Sequence, residues 1–154
     1  ACYPVVSNNR VFIVAPDRYM TALDLKTGKQ IWREKKDPYR VRESIGLSYD
    51  QKLVYAKTMD GELIGVSVKA NEMAIDWQSA LKLPYELTPS AIYSSANLIF
   101  VPNSSGLLSA IDSRSGAVRW QYKITNSMVN PPLVLKNRVV ASTMDGKIVM
   151  LKIN

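Results

Sequence analysis

The sequence predicts an all-β protein of four consecutive repeats, each a meander of short antiparallel strands, and three observations carry that prediction. The stretch Ala22-Leu23-Asp24-Leu25-Lys26-Thr27-Gly28-Lys29-Gln30-Ile31-Trp32 returns as Ala110-Ile111-Asp112-Ser113-Arg114-Ser115-Gly116-Ala117-Val118-Arg119-Trp120, both reading Ala-x-Asp-x-x-Thr/Ser-Gly-x-x-x-Trp. A looser copy runs from Gly65-Val66-Ser67 to Trp77, so all three tryptophans share one phase of a repeat about 43 to 45 residues long. Between these landmarks lie short β-branched and aromatic runs, cut by turn residues such as Asn8-Asn9 and Asp60-Gly61. No segment shows sustained helical periodicity.

Each unit reads as four strands, A to D. In the first, strand A spans about 3–7, and Asn8-Asn9 is a hairpin turn that tolerates positive φ. Strand B spans 10–15, and Asp17-Arg18 turns the chain. Strand C, about 19–25, alternates Met20, Ala22 and Asp24 on one face with Thr21, Leu23 and Leu25 on the other. Lys26-Thr27-Gly28 closes the next turn, and strand D carries Gln30, Ile31 and Trp32. The second unit places its strands at 44–49, 53–58, 62–68 and 75–78, with turns at Asp50-Gln51 and Met59-Asp60-Gly61. The third uses 90–93, 98–101, 107–112 and 118–124, with Asn103-Ser104-Ser105-Gly106 as its B–C turn. The fourth opens like the first: Pro132-Leu133-Val134-Leu135-Lys136-Asn137-Arg138-Val139 parallels Pro4-Val5-Val6-Ser7-Asn8-Asn9-Arg10-Val11. The correspondence runs on without a gap, Asp17 matching Asp145 and Leu23 matching Leu151. Its strands fall at 133–135, 138–143 and 147–153, joined by Met144-Asp145-Gly146, and its strand D with the tryptophan is absent.

Composition narrows the function classes. A chain of 154 residues, 47% hydrophobic and 21% charged, suits one domain of ordinary size with a buried core. No apolar run approaches the roughly 18 to 20 residues of a membrane-spanning helix, and no signal peptide is visible, so the chain reads as a mature form or an excised domain. A formal charge of +7 favours acidic partners, nucleic acid or an anionic membrane surface. No nucleic-acid motif accompanies it, so nucleic acid is not the expected partner and a basic soluble domain is the plainer reading. Cys2 is the single cysteine, which rules out an internal disulfide. It sits where a lipid could attach, but the strand pattern follows at once without a tether, and a plain buried or terminal cysteine is the preferred reading. The absence of histidine excludes Ser-His-Asp and Cys-His catalysis and histidine-ligated zinc.

Four-stranded units of this length, each with a tight turn and a tryptophan, predict the four-stranded antiparallel blades of a β-propeller. The Ala-x-Asp-x-x-Thr-Gly-x-x-x-Trp stretches resemble the tryptophan-docking motif of the pyrroloquinoline-quinone-like (PQQ-like) propellers. That superfamily includes quinoprotein alcohol dehydrogenases and a propeller lipoprotein of the outer-membrane barrel-assembly machinery. The resemblance covers essentially the whole chain. Unit two departs from it: Gly65 stands for the alanine, Ser67 for the aspartate and Ala70-Asn71 for Thr-Gly, with a two-residue insertion before Trp77. In physical terms the small residue on strand C leaves room for an indole from a neighbouring blade, and the glycine permits the C–D turn. Ala22, Gly28, Trp32, Trp77, Ala110, Gly116 and Trp120 are therefore read as a structural docking set. Loss of such a tryptophan is expected to cost about 3 to 5 kcal/mol. The Asp-Gly turns are read as turns and not as metal loops, since single carboxylates on separate hairpins make no calcium cage.

The resemblance implies about eight blades, whereas the pattern here gives nearly four, at about 1–43, 44–88, 89–130 and 131–154 of a single partial propeller. Three explanations compete: a piece of a longer propeller whose closing strand came from upstream, two copies associating toward a ring, or an open fragment with exposed edges. A C-terminal piece that self-associates is favoured. Propeller topology puts the D–A connections, around 33–43, 79–88 and 125–131, on one face with the B–C turns. Loops of that length on a rigid scaffold are where binding usually lives. The first is rich in basic residues and reads either as a solvated charged loop or as a site where Lys36, Arg40 and Arg42, with Tyr39 packed beside them, hold an anionic or peptide partner. The apolar connection Leu81-Lys82-Leu83-Pro84-Tyr85-Glu86-Leu87 either tucks over the blades or forms a partner patch.

Two function classes remain. One is a non-catalytic binding or scaffold module, resembling the assembly-machinery propeller or the propellers appended to membrane kinases and phosphoesterases, with no cofactor. The other is part of a quinoprotein dehydrogenase using pyrroloquinoline quinone and calcium. Such dehydrogenases carry an adjacent cysteine pair and a Glu/Asn/Asp calcium set, and a lone Cys2 cannot supply the pair. An extracytoplasmic location, periplasmic or at the cell surface, follows from the resemblance alone.

Overall fold

Each unit folds into its own antiparallel sheet because short connections leave consecutive strands no nearer partner. A computed structural model of the chain describes residues 3–82 and 92–153. β1 (Val5–Ser7), β2 (Arg10–Val14), β3 (Met20–Asp24) and β4 (Gln30–Glu34) form the first sheet in that order. β5 (Val41–Leu47), β6 (Leu53–Thr58), β7 (Leu63–Ser67) and β8 (Ile75–Gln78) form the second. The third comprises β9 (Tyr93–Ser94), β10 (Leu98–Pro102), β11 (Leu107–Asp112) and β12 (Val118–Lys123). The fourth has three strands among the described residues: β13 (Leu133–Val134), β14 (Arg138–Ser142) and β15 (Ile148–Lys152). The all-β, bladed fold expected from the sequence is the fold observed.

Turn chemistry sets the register. Asn8 and Asn9 both take positive φ, 49° and 59°, which lets a two-residue loop join Ser7 to Arg10. Gly61, at φ 84°, completes the three-residue turn after Thr58. One boundary differs from expectation. The inner strand of the second sheet starts at Val41, three residues early, because Val41 is fully buried and pairs with Thr58. An irregularity between Val41 and Ile45 absorbs the extra length. Cys2, the start of the third unit's strand A, and most of the apolar connection from Leu83 to Leu87 lie outside the described residues; Leu81, at its start, is buried.

Three clusters of buried side chains hold the sheets face to face. Phe12, Met20 and Trp32 of the first pack with Val54, Ile64 and Val66 of the second. Tyr55, Leu63 and Trp77 of the second pack with Ile99, Val101 and Ile111 of the third. Phe100 and Leu108 of the third meet Val139 and Ala141 of the fourth. Burying side chains of this size contributes about 1.5 to 3 kcal/mol each, so these seams, and not the hairpins alone, hold the fold.

Backbone bonds sort the loops onto two faces. In every blade the residue after strand C donates back to the A–B turn: Leu25 to Asn9, Val68 to Lys52, Ser113 to Asn97 and Ile153 to Asn137, at 2.8–3.0 Å. On the other face the B–C turns meet the D–A connections, as Met59 does Arg40 (2.7 Å) and Met144 does Met128 (2.9 Å).

Candidate functional site

The repeated motif builds a layer inside each blade. On strand C, Ala22, Gly65 and Ala110 lie directly opposite Trp32, Trp77 and Trp120 on strand D. Phe12, Tyr55 and Phe100 lie opposite the same residues on strand B. The two rings flank the small residue, with centroids 6.1, 5.6 and 6.0 Å apart. This corrects the reading that the gap admits an indole from a neighbouring blade: the indole is the blade's own. A Cβ on Gly65 would lie 2.8 Å from Trp77 Cε2, so the glycine standing for alanine there is required by contact.

The outer sides of the first two indoles reach the C–D turn of the next blade. Trp32 Nε1 donates to the Ala70 carbonyl at 3.2 Å. Trp77 lies on Gly116, where an added Cβ would be 2.5 Å from Cε3. The fourth blade has no C–D turn among the described residues, and Trp120 is only half-buried while Trp32 and Trp77 are 4% and 9% exposed. Gly28, at the matching turn of the first blade, has nothing within 4 Å of a would-be Cβ. Among the described residues the docking set is thus complete at two seams and open at the first and last blades.

Sequence reasoning missed what the motif's aspartate does. Asp24 Oδ1 accepts from the backbone N–H groups of Lys26 (3.1 Å) and Thr27 (2.7 Å) and from the Thr27 hydroxyl (2.8 Å). Asp112 repeats this with Arg114, Ser115 and the Ser115 hydroxyl, and its other oxygen accepts from Arg119 at 2.9 Å. The Asp-x-x-Thr/Ser spacing, with hydroxyl and acid three apart, was the available signal. The Thr27 hydroxyl and amide lower the Asp24 pKa. The Arg114 and Ser115 amides, helped by Arg119 and outweighing partial desolvation, bring Asp112 to about 2.

Blade two lacks the aspartate, and its insertion serves another purpose. The segment clasps blade one: Arg10 donates to the Ala70 carbonyl and to Asn71 Oδ1, Met73 N donates to Glu34 (3.1 Å), and Glu72 faces Lys36 (3.5 Å). Met73 is fully buried in the first seam.

On the long-loop face, Lys36, Tyr39, Arg40 and Arg42 do not converge on one open surface. Lys36 lies between Glu34 (3.6 Å) and Glu72, and Tyr39 donates its hydroxyl to Gln78 (3.0 Å) while its ring packs on the first seam. Arg40 is exposed, 3.6 Å from Asp37. Arg42 departs from the surface reading: it is 7% exposed, drawn in because the strand begins at Val41. Beside this loop, Arg18 and Glu43 pair at 2.6 Å and the Arg33 guanidinium lies 3.9 Å from the Tyr19 ring centre.

The fourth blade forms an open end. β15 pairs only with β14, so one edge of its backbone is unpaired among the described residues. Ile148 and Met150 are 72% and 59% exposed, and Leu133 60%. Met150 occupies the place of Ala22, Gly65 and Ala110, opposite Val140 where the other blades have an aromatic ring. The space beside Trp120, about 700 Å³ lined by Asn97, Arg119, Lys136 and Ile153, is where a C–D turn would sit by analogy with Gly116.

A family model described as outer membrane protein assembly factor BamB matches residues 1–81 and again 74–154. BamB of Taylorella asinigenitalis (strain MCE3) is 24% identical over 155 residues, covering 98% of this chain and 38% of its own. BamB of Moranella endobia (strain PCIT) is 24% identical over 135 residues, covering 82% and 34%. The chain therefore spans just over a third of these relatives. Among solved structures, BamB from Moraxella catarrhalis superimposes with a TM-score of 0.74 at 18% identity, over 94% of this chain and 46% of that one. The computationally designed Ika4 protein gives 0.76 at 18% identity, over 98% and 89%. These superpositions show a shared fold.

Proposed function

Since the chain belongs to the outer membrane protein assembly factor BamB family, we propose that it is a non-catalytic binding module, one partial propeller whose open end takes further propeller structure and whose long-loop face takes a protein partner. The observation that carries this reading is the open fourth blade: an unpaired β15 edge beside a half-buried Trp120. A backbone edge with exposed Ile148 and Met150 favours strand addition, because unpaired N–H and C=O groups template a new strand.

In a longer polypeptide the occupant is the remainder of the same propeller. In the 154-residue chain alone, the open end drives self-association. Met150 adds a rule for the occupant: a residue far larger than alanine at that place disfavours a tryptophan opposite it, so the incoming strand carries a smaller side chain there. On the other face, Arg40 is the exposed member of the basic set, with Lys36 and Tyr39 held within the loop and Arg42 buried. An acidic protein surface fits that loop. Assembly of outer membrane proteins outside the cytoplasm is the setting this membership suggests.

Light scattering of the 154-residue chain is expected to give a mass above the monomer, falling to the monomer in an Ile148→Lys variant. A monomeric mass for the parent removes the self-association. A pull-down with the assembly machinery's proteins is expected to weaken on Arg40→Glu; retention by that variant removes the loop-face reading. Pyrroloquinoline quinone with calcium is expected to leave the melting temperature unchanged, and a clear stabilisation would contradict a scaffold.

A further inference from the structure

The first two seams differ at one position on the A–B/C–D turn face. Arg10, at the start of β2, crosses to the C–D turn of blade two and donates to Ala70 and Asn71. Register places Leu53 at the same point of β6, Arg10 pairing with Asp24 and Leu53 with Ser67. Leucine has no group that spans the gap, and a cleft of about 500 Å³ opens between blades two and three, its lining including Leu53 and Tyr55.

Tyr55 is fully buried, lines this cleft, and its hydroxyl has no hydrogen-bond partner. The indole N–H of Trp77, in the same seam, is also buried without an acceptor, whereas Trp32 in the first seam donates to Ala70. The rim carries Lys52, Lys69 and Arg114. Lys69 and Arg114 have no ion-pair partner among the described residues. Lys52 stands 3.5 Å from Asp50, whose carboxylate already accepts from the Ser48 hydroxyl (2.8 Å) and the Lys52 amide (3.2 Å). Asp76, the bulged residue before Trp77, is the remaining acid on the rim. Burial, with Asp50 and Asp112 nearby, pushes the Tyr55 hydroxyl up to about 12 against the opposing pull of the Ser48 hydroxyl. The Ser48 hydroxyl is close by but donates to Asp50 and makes no well-formed hydrogen bond to Tyr55, so the phenol stays protonated and is available as a donor.

A seam with spare donors and spare positive charge lacks an acceptor. We propose that the cleft between blades two and three binds a compact oxyanion, a carboxylate or phosphate group, which accepts from Tyr55 and is neutralised by Lys69 and Arg114. The guanidinium of Arg114 offers a planar fork suited to either group. Asp76 at the rim favours a ligand whose far end is neutral or cationic. The site lies opposite the long-loop face and is independent of the partner proposed there.

The test is a titration of the isotope-labelled 154-residue chain, followed by nuclear magnetic resonance, with sodium phosphate and separately with sodium acetate. Each is compared with sodium chloride at equal ionic strength. Saturable shifts are expected at 48–55 and 113–114 with a dissociation constant in the low millimolar range or tighter. Phosphate alone, or acetate alone, identifies the oxyanion class. Tyr55→Phe keeps the ring on Trp77 and is expected to weaken binding about tenfold, as loss of a hydrogen bond to a charged group does. Leu53→Arg is expected to abolish binding by filling the cleft as Arg10 fills its counterpart. If that variant does not fold, the exposed pair Lys69→Ala with Arg114→Ala is expected to give the same loss. No saturable shift with either anion, or equal affinity in Tyr55→Phe and in the Lys69→Ala/Arg114→Ala pair, overturns the proposal.

Discussion

Trp32 and Trp120 hold the same place in their own blades and different places in the molecule. Each sits opposite an alanine and about 6 Å from a phenylalanine ring. Trp32 then meets the Ala70 carbonyl of the next blade, while Trp120 faces open space above the fourth. The difference separates what a repeat supplies for itself from what it needs from its neighbour. The small residue, the aromatic pair and the aspartate turn are built within a blade. Covering the indole is the neighbour's contribution, as the nearest-neighbour logic of repeat proteins requires.

The largest break in this comparison comes from truncation. Trp32→Ala is expected to cost about 3 to 5 kcal/mol and Trp120→Ala about 1 to 2 kcal/mol less, since the indole at the second site is already partly exposed. Urea unfolding of the two variants measures this, and equal losses would erase the distinction. Next come two glycines with the same backbone. Gly28 and Gly116 have φ of 70° and 72°, so Gly→Ala carries the same left-handed penalty of about 1 to 2 kcal/mol at both. Gly116→Ala also drives a methyl into Trp77, and an additional loss of about 1 to 3 kcal/mol is expected there alone.

A smaller effect tests the aspartate turn. The pKa of Asp112 is lowered from 3.8 to about 2, so its stabilisation is present above the unfolded value and is lost as pH falls through about 2. Asp112→Asn is therefore expected to lower the melting temperature at neutral pH by a few degrees and to converge with the parent toward pH 2. A gap that persists in acid would assign the loss to packing. The smallest effect is at Met150, 59% exposed, where alanine is expected to change stability by less than about 0.5 kcal/mol in the 154-residue chain.

Much of this architecture was legible because it rests on local rules. The Asn8-Asn9 and Asp60-Gly61 turns, the alternation in strand C and the tryptophan phase fix strands and order from a few residues each. What escaped depends on neighbours in space. The sequence does not say which blade's indole fills the gap beside Ala22, nor that Glu72 and Met73 of an apparently degenerate unit reach back to Glu34 and Lys36. Arg42 reads as a surface cation until the strand is found to begin at Val41. The cleft at Tyr55 depends on Leu53 standing where Arg10 stands, which becomes meaningful only when the two seams are superposed.

The central claim is that an indole docked in its own blade stays incompletely covered until the next blade's C–D turn closes over it. Acrylamide quenching of two single-tryptophan proteins in dilute solution tests it most directly. One keeps Trp32 with Trp77→Phe and Trp120→Phe; the other keeps Trp120 with Trp32→Phe and Trp77→Phe. Trp120 is expected to emit further to the red and to be quenched severalfold more efficiently than Trp32. Equal quenching and equal emission maxima would contradict it.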